Sequence, residues 1–257
     1  MKDNHENNEN KILSIQDVSI QFGDFKAIKH VSTDIGKNEI RFFIGPNGAG
    51  KTTILDAICG KNKIADGKIL YYRNDGEVHD VSKMKENVIS ELGIGRKFQA
   101  PSVFNGITIQ ENMELAVTNR HSLYASMFKK LSKEKKDYME YILEFIGLAD
   151  KQFMYPTRLS HGEKQWLEIG MLMASKPQLM LLDEPVAGMG RKETEKTAEM
   201  LLKIKKECSV IVVEHDMQFA KDVSDKVTVF HEGEVLDEGT MEKVTENQRV
   251  IDVYLGR

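Results

Sequence analysis

The segment GPNGAGKT, from Gly45 to Thr52, constrains the fold of this chain more than any other feature. It follows the short apolar run EIRFFIG, which is typical of a buried strand, and precedes KTTILDAIC, which has helical spacing and stops at Gly60. Glycines let the backbone turn so that several N–H groups point at one anion, and the following helix adds its positive N-terminal end. This order of strand, glycine-rich turn and helix predicts a phosphate-binding loop.

Two residues of this loop carry the chemistry of a nucleotide site. The Lys51 side chain would reach the β and γ phosphates of ATP, and the Thr52 hydroxyl would bind Mg²⁺. A chance glycine-rich turn is the alternative, but both flanking elements fit a phosphate loop. Since kinases, GTPases and many motors share such a loop, the segments that follow it must decide the function.

The run LMLLDEP places Asp183 and Glu184 at the carboxyl end of an apolar strand. Ligands of open α/β sheets bind at that end of the strands. Asp183 would hold the Mg²⁺ there, and Glu184 would polarise an attacking water as a general base. A simple acidic turn after a strand is the structural alternative for this pair.

The run RLSHGEKQW contains a helix start that allows two interpretations. Ser160 and Glu163 fit a capping box, which explains both residues by local structure alone. The same geometry makes a second phosphate site, because N–H groups and a serine hydroxyl stand at a helix N-terminus. One chain cannot easily bring two helix N-termini to the same γ-phosphate, whereas a second copy of the chain can.

The remaining segments predict an α/β fold. Two early stretches, ILSIQDVSIQF and AIKHVSTDI, alternate apolar and polar residues and predict an antiparallel sheet. After Lys176, strand and helix patterns alternate, which predicts a mostly parallel sheet with crossover helices. Between these parts, residues 108–147 show apolar positions at helical spacing and predict a helical subdomain. The run KVTVFHEGEVLDEGT predicts two final strands around the Glu232–Gly233 turn.

Composition argues against several classes of protein. The net charge of −4 disfavours a nucleic-acid footprint. Cys59 and Cys208 stand far apart without a C-x-x-C pairing, so buried free thiols are favoured over a disulfide or a zinc site. Residues 1–11 are polar and Asn-rich, which predicts a disordered tail without the order of an export signal. No apolar run approaches the ~20 residues that span a bilayer, so a soluble, cytoplasmic protein is expected.

Taken together, these segments resemble the ATP-binding cassette (ABC) ATPases over nearly the whole chain, residues 12–257. Gly45–Thr53 is similar to the first phosphate motif of the family, LMLLDEP to the second, and LSHGEKQ to its signature loop. Gln99 in RKFQAPSVF matches the loop glutamine that senses Mg²⁺ and the transporter domain. His215 in VVEHDM matches the switch histidine, and Phe22 falls where the family places an aromatic ring against adenine.

The resemblance implies a P-loop NTPase core with an N-terminal antiparallel β-subdomain and a helical subdomain inserted at about residues 100–170. Each of these three matches has a plainer interpretation. Gln99 could be an ordinary surface residue, His215 a histidine at a strand end, and Phe22 a core residue. Their order around the phosphate motifs favours the functional interpretations. The implied site comprises ATP contacts at Phe22, Gly45, Asn47, Gly48, Ala49, Gly50, Lys51, Thr52 and Thr53, catalytic groups at Lys51, Glu184 and His215, Mg²⁺ ligands at Thr52, Gln99 and Asp183, and contacts to ATP of a second subunit at Ser160, His161 and Gly162.

The chain departs from the family pattern at three positions. His161 stands where glycine is usual, Glu163 where glutamine is common, and Gly190 where many relatives carry an aspartate. Ser160 and Gly162, the expected contacts to the opposite γ-phosphate, are retained, so we expect function to survive. Gly190 weakens the expectation of communication across a dimer at that position.

Two classes of ABC protein are compatible with these motifs. A soluble ABC ATPase acting on DNA or ribosomes typically has paired cassettes, coiled-coil insertions or basic extensions, and this sequence shows none of them. The motor subunit of a bacterial-type importer is therefore favoured. The segments GIGRKFQAPSVFNGITIQENMELA and LSHGEKQWLEIGM and the ending RVIDVYLGR resemble the urea-importer branch of the branched-chain amino-acid transporter ATPases. Urea is thus the predicted solute, with branched-chain amino acids or short amides as the alternative.

The importer resemblance also implies partners. We expect ATP and Mg²⁺ as cofactors, a second cassette in a homodimer or heterodimer, two integral-membrane permease subunits and, indirectly, a solute-binding protein, but no nucleic acid. The subunit would lie on the cytoplasmic face of the membrane. A groove near residues 99–114 would receive a permease helix, and Val103, Phe104, Ile107 and Met113 either line it or belong to the ordinary core.

Overall fold

The computed structural model describes residues 10–97, 103–118 and 131–255 of the protein. The strands within these ranges form two sheets. The strands are β1 (Lys11–Phe22), β2 (Phe25–Gly36), β3 (Ile40–Ile44), β4 (Asp66–Tyr72), β5 (Val78–Asp80), β6 (Ile94–Arg96), β7 (Leu179–Asp183), β8 (Ser209–Val213), β9 (Lys226–His231) and β10 (Glu234–Gly239).

Helices connect and cover these strands. The α-helices of the described ranges are α1 (Lys51–Ile58), α2 (Glu86–Leu92), α3 (Ile109–Thr118), α4 (Lys133–Ile146), α5 (His161–Ala174), α6 (Arg191–Ile204), α7 (Met217–Val223), α8 (Met241–Thr245) and α9 (Gln248–Leu255). Short 3₁₀ turns occupy Val81–Lys83, Ala149–Lys151 and Pro156–Arg158. Gly60 follows α1 with a φ of +80°, which confirms the predicted stop of that helix, because a left-handed residue ends a helix and favours glycine.

The first sheet is antiparallel, with its strands in the order β2-β1-β4-β5. β1 and β2 form a hairpin in which Ile20 pairs with Ile28 and Phe22 pairs with Phe25. Ile20 and Ile28 are fully buried, whereas Phe22 and Phe25 are exposed at the turn. Because successive side chains of a strand point to opposite faces, the alternating sequence pattern specifies one buried face. The predicted antiparallel sheet is confirmed.

The second sheet has the strand order β10-β9-β3-β8-β7-β6. Its strands run parallel except β10, which is antiparallel to β9. Every residue of β3, β7 and β8 is buried, as expected for parallel strands covered on both faces. The mostly parallel sheet is therefore confirmed, as is the final hairpin at Glu232–Gly233, where φ is +48° and +84°.

Three segments of the predicted site follow neighbouring strands of this sheet. β3, β7 and β8 are parallel, so their carboxyl ends point the same way. The chain passes from β3 into Gly45–Gly50, from β7 into Glu184, and from β8 towards His215. The strand order thus brings segments that are far apart in the sequence to one side of the sheet, which is where open α/β sheets bind ligands.

The helices α3, α4 and α5 lie in the chain between β6 and β7, where the sequence predicts a helical subdomain. α5 packs against both α3 and α4. The apolar faces of these helices join one continuous cluster with residues of the parallel sheet, and the Tyr138 hydroxyl of α4 donates to the Met173 carbonyl of α5 at 3.0 Å. The helical subdomain is therefore packed directly onto the core rather than extended from it.

The four groove candidates divide between core and surface. Met113 is fully buried and Val103 is nearly so, and both belong to the main apolar cluster. Ile107 is half-buried, whereas Phe104 is 51% exposed. Met113 and Val103 thus follow the core alternative, and Phe104 keeps an accessible ring.

Other expectations have mixed outcomes. Lys11 already begins β1 and pairs with Gly36, so ordered structure starts inside the predicted tail, whose residues 1–9 lie outside the described ranges. Cys59 and Cys208 are free and buried, which confirms the prediction of buried free thiols. None of the helices in the described ranges combines the length and the apolar character that a membrane span requires.

Candidate functional site

The phosphate loop is shaped by glycines with positive φ. Gly45, Gly48 and Gly50 have φ angles of +144°, +78° and +102°, in regions that favour glycine. α1 begins at Lys51, and its N-cap Gly50 offers no side-chain cap. The first N–H groups of α1 therefore remain available to an anion, and the helix dipole adds to the attraction.

We expect Gly45→Ala to prevent the loop from forming, whereas Gly48→Ala should be milder. A Cβ at Gly45 would lie 2.1 Å from the Phe230 carbonyl oxygen, but a Cβ at Gly48 meets nothing within 4 Å. Gly48→Ala should therefore cost only about 1–2 kcal/mol, for its left-handed φ, and Gly45→Ala at least ~3 kcal/mol, for strain plus collision. Urea unfolding followed by the fluorescence of Trp166, the one tryptophan, measures both. Equal losses would contradict this account of the loop.

Lys51 is held inside the loop by its own backbone. The Nζ atom donates to the carbonyl oxygens of Gly45 and Pro46, each at 2.9 Å. Burial lowers the pKa of Lys51, while the nearby carboxylates of Glu184 and Asp183 oppose this effect. Asn47 and Gly48 are exposed at the tip of the loop, Ala49 is buried beneath it, and Thr53 is half-buried in α1. The Lys51 amine is thus held by two loop carbonyls at the start of α1, where it can bind an anion.

The Mg²⁺ prediction is supported by two oxygen groups that face each other. Thr52 Oγ1 lies 3.5 Å from Asp183 Oδ1, while Asp183 Oδ2 is buried, accepts no hydrogen bond and lies 3.7 Å from Arg96 Nη2. Burial raises the pKa of Asp183, and Arg96 opposes it. The Thr52 hydroxyl beside Asp183 Oδ1, together with a second carboxylate oxygen that has no hydrogen-bond donor, fits Mg²⁺, which takes few protein ligands and completes its shell with phosphates and water. Gln99, the third predicted ligand, lies outside the described residues.

Glu184 and His215 meet at the carboxyl edge of the sheet. Glu184 has a φ of +47°, its N–H donates to the Val213 carbonyl at 2.9 Å, and its Oε1 lies 3.3 Å from His215 Nε2. The two side chains are 42% and 40% exposed, respectively, so water reaches both. This arrangement gives a carboxylate that can accept a proton and an imidazole that can hold the carboxylate in place.

Glu214, a buried carboxylate next to His215, holds the loops that follow β7 and β8. The sequence motifs did not predict this role. Glu214 accepts hydrogen bonds from the N–H groups of Val186 and His215, each at 3.0 Å. Burial raises the pKa of Glu214, while these backbone donors oppose the rise. One side chain thus orients the turn after Glu184 and the start of the His215 segment. Only its place beside the histidine in VVEHDM could have indicated it.

The segment Ser160–Gly162 begins α5, and its described hydrogen-bond partners lie outside the phosphate loop. The Ser160 side chain accepts from the Glu163 N–H at 3.1 Å, and Glu163 accepts from the Ser160 N–H at 2.9 Å, which is the predicted capping box. His161 Nε2 lies 3.0 Å from the Ala187 carbonyl oxygen, and a cavity of about 370 Å³ separates this region from Asp183 and Glu184. The capping interpretation of Ser160 is therefore correct, and it does not exclude a phosphate contact.

Phe22 presents an open ring. It closes the β1–β2 hairpin opposite Phe25, and 51% of its surface is exposed. The core interpretation of Phe22 is thus wrong, because its side chain is not packed in the apolar cluster. An exposed aromatic face at a hairpin turn can stack on a nucleobase.

Two more contacts at the site depend on residues distant in the chain. Arg96, at the end of β6, forms an ion pair with Asp56 of α1 beside Asp183. Tyr254 of α9 lies beside the phosphate loop: partial burial raises its pKa to about 12, and the nearby Gly45 backbone opposes the rise. Arg96 lies in the segment GRKFQ and Tyr254 in RVIDVYLGR. Nothing in either segment indicates that these residues contact α1 or the phosphate loop.

Comparisons with known proteins agree with this geometry. A family model for the ABC transporter matches residues 28–187. The high-affinity branched-chain amino acid transport ATP-binding protein BraF of Pseudomonas aeruginosa is 31% identical over 255 residues, covering 95% of this chain and 98% of BraF. The probable branched-chain amino acid transport ATP-binding protein LivG of Archaeoglobus fulgidus is 32% identical over 251 residues, with 96% of each chain covered. The solved structure of the ADP conformation of MJ1267, an ATP-binding cassette of an ABC transporter, superposes with a TM-score of 0.83 at 27% identity, covering 96% of this chain and 99% of that chain.

Proposed function

Since the chain belongs to the ABC transporter family and is an ATPase coupled to transport, we propose that it powers an importer of branched-chain amino acids. The contact of Glu184 with His215, on the sheet edge that also carries Lys51 and Asp183, supports the hydrolytic chemistry. The solute is supported by relatives that align over nearly their full length and are branched-chain amino acid transport proteins.

The proposed reaction begins with nucleotide binding. Phe22 stacks on the adenine, and the backbone N–H groups of Gly45–Thr53 surround the phosphates. Lys51 exchanges its two loop carbonyls for phosphate oxygens. Thr52 and Asp183 would hold Mg²⁺, which would neutralise phosphate charge.

Glu184 then orients and polarises the attacking water. Its carboxylate accepts the proton as bond formation proceeds, and His215 keeps the carboxylate and the γ-phosphate in register. Lys51 and the loop amides stabilise the charge that develops on the phosphoryl oxygens. All of these groups are already close to one another at one sheet edge, so positioning accounts for much of the catalysis.

A complete site requires a second cassette in this proposal. Ser160 and Gly162 contact the γ-phosphate bound to the opposite subunit, with His161 between them. Two integral-membrane permeases bind the cassettes at the cytoplasmic face of the membrane, and a solute-binding protein delivers the solute to them. ATP-dependent association of the cassettes drives the permeases. The exposed ring of Phe104 is the candidate contact to a permease.

Urea is the second candidate solute. The segments GRKFQ and SHGEKQWLEIGM resemble the urea-importer branch, but the curated relatives given above favour the branched-chain amino-acid alternative. The family and these relatives also disfavour the soluble class that acts on nucleic acid or ribosomes.

Reconstitution distinguishes these solutes. The chain, purified with its permeases and placed in vesicles with the solute-binding protein, should drive ATP-dependent uptake of labelled leucine. Complexes that carry Glu184→Gln are the control and should show no uptake. Uptake of labelled urea but not leucine would overturn the proposed solute and leave the ATPase assignment intact. Co-purification with nucleic acid instead of a membrane protein would contradict the transport role.

A further inference from the structure

One carboxylate connects the segment Ser160–Gly162 to the loop after Glu184. Glu193 lies in the first turn of α6, and its Oε2 accepts from the Gly190 N–H at 3.0 Å. Its Oε1 accepts from the Ser160 hydroxyl at 3.4 Å. The side chain therefore joins the start of α5 to the start of α6 within one subunit.

Gly162 lets this carboxylate approach closely. A Cβ at Gly162 would lie 2.5 Å from Glu193 Oε1 and 2.7 Å from its Cδ, a separation that real contacts do not allow. Gly162 itself is buried. A glycine at this position thus places a negative charge directly against the backbone that begins α5.

The hydrogen bonds of Ser160 engage both its oxygen and its proton. Its oxygen accepts from the Glu163 N–H at 3.1 Å, and its single proton is directed to Glu193. A hydroxyl has only one proton to donate. To donate to an incoming phosphate, Ser160 must first give up its hydrogen bond to Glu193, and the Glu193 charge repels that phosphate.

We propose that Glu193 is a positioning residue that restrains the phosphate contact of Ser160 until ATP of the opposite subunit displaces its hydrogen bond. The inference rests on the proposed function, because Ser160 must bind that phosphate. The rest of the segment stays anchored when the bond is broken, since the Glu163 capping box and the contact between His161 and Ala187 do not involve Glu193. The restraint therefore consists of the hydrogen bond from the Ser160 hydroxyl and the negative charge of Glu193.

Glu193→Gln separates this role from a structural one. A glutamine oxygen can still accept from the Gly190 N–H, but its amide donates to the Ser160 oxygen and frees the serine proton. In a chain that also carries Glu184→Gln, Glu193→Gln should lower the ATP concentration for half-maximal association about tenfold. Analytical ultracentrifugation measures this for the chain alone and mixed with the cassette subunit that co-purifies with it.

Glu195→Gln is the matched control. It removes the same charge from the same helix, but Glu195 is exposed and pairs with Arg191 at 2.8 Å, so association should not change. Ser160→Ala tests whether Glu193 acts through Ser160. In a chain that carries Ser160→Ala, Glu193→Gln should no longer change association, whereas a merely structural effect of Glu193→Gln would remain. ATP binding by the isolated subunit should be unchanged by Glu193→Gln.

The outcomes separate the inference from the function on which it rests. An unchanged or higher ATP requirement for Glu193→Gln, or an effect that persists with Ser160→Ala, would overturn the restraint alone, provided that Ser160→Ala by itself weakens association. Two results would contradict the phosphate contact between subunits, and the inference with it. One is that Ser160→Ala by itself has no effect on association. The other is that ATP drives association neither of the chain alone nor of its mixture with the second cassette subunit.

Discussion

Replacing Glu184 with glutamine is expected to slow ATP hydrolysis at least ~100-fold, the typical contribution of a general base, while ATP still binds. The carboxamide has nearly the shape of the carboxylate and can keep the contact to His215, which lies 3.3 Å from Glu184 Oε1. It cannot accept the proton of the attacking water. The chemical step should therefore fail although the phosphate loop and its Lys51 are unchanged.

Single-turnover assays with radiolabelled ATP measure the chemical step, and a filter-binding assay measures retained nucleotide. Glu199→Gln is the control, because Glu199 is an exposed acid on α6 and its loss should leave the rate within about twofold. A near-normal rate for Glu184→Gln would remove Glu184 from the role of base. A loss of ATP binding in the same variant would show that it acts on the ground state instead.

The second large effect is expected from Lys51→Ala, which should weaken ATP binding at least ~100-fold, or about 3 kcal/mol. Lys51 supplies a partly desolvated positive charge, and charge-assisted hydrogen bonds to phosphate are among the stronger polar contacts. Its removal also leaves two loop carbonyls without their donor. The Gly45 carbonyl belongs to a buried residue, so we also expect a loss of about 1–3 kcal/mol in folding stability.

Isothermal titration calorimetry with ATP and Mg²⁺ tests this expectation. Lys63→Ala is the matched control: Lys63 is an exposed lysine shortly after α1, and its removal changes the net charge equally. Comparable weakening in both variants would indicate a general charge effect rather than a site. Unchanged affinity for Lys51→Ala would contradict the phosphate-loop assignment itself.

Local sequence patterns predict the elements of this fold well. The glycines, lysine and threonine of Gly45–Thr52 are adjacent in the chain, so their loop could be recognised without the fold. The same holds for Asp183–Glu184 at a strand end and for the alternating residues of β1. In each case the determining interactions are between near neighbours, and propensity and periodicity record them directly.

The partners of these groups could not be predicted in this way. Arg96 meets Asp56 because the fold places β6 beside α1, and the buried Lys97 lies 3.5 Å from Glu168 because α5 packs near the same strand. Glu193 reaches Ser160 for a similar reason. Such contacts depend on strand order and helix packing, which a single sequence does not encode locally. Met113 illustrates the converse, since its apolar side chain suggests a groove or a core equally until its burial is known.

The two hydrogen bonds that Lys51 makes to its own loop have a consequence for the energetics of turnover. An empty site with an unpaired buried cation would be strained and would favour collapse or the capture of stray anions. Here the Lys51 ammonium group is already hydrogen-bonded to two loop carbonyls when no nucleotide is bound. The calorimetric heat of ATP binding then reports a difference between two sets of hydrogen bonds, so a small measured enthalpy is compatible with a phosphate contact that is strong in itself.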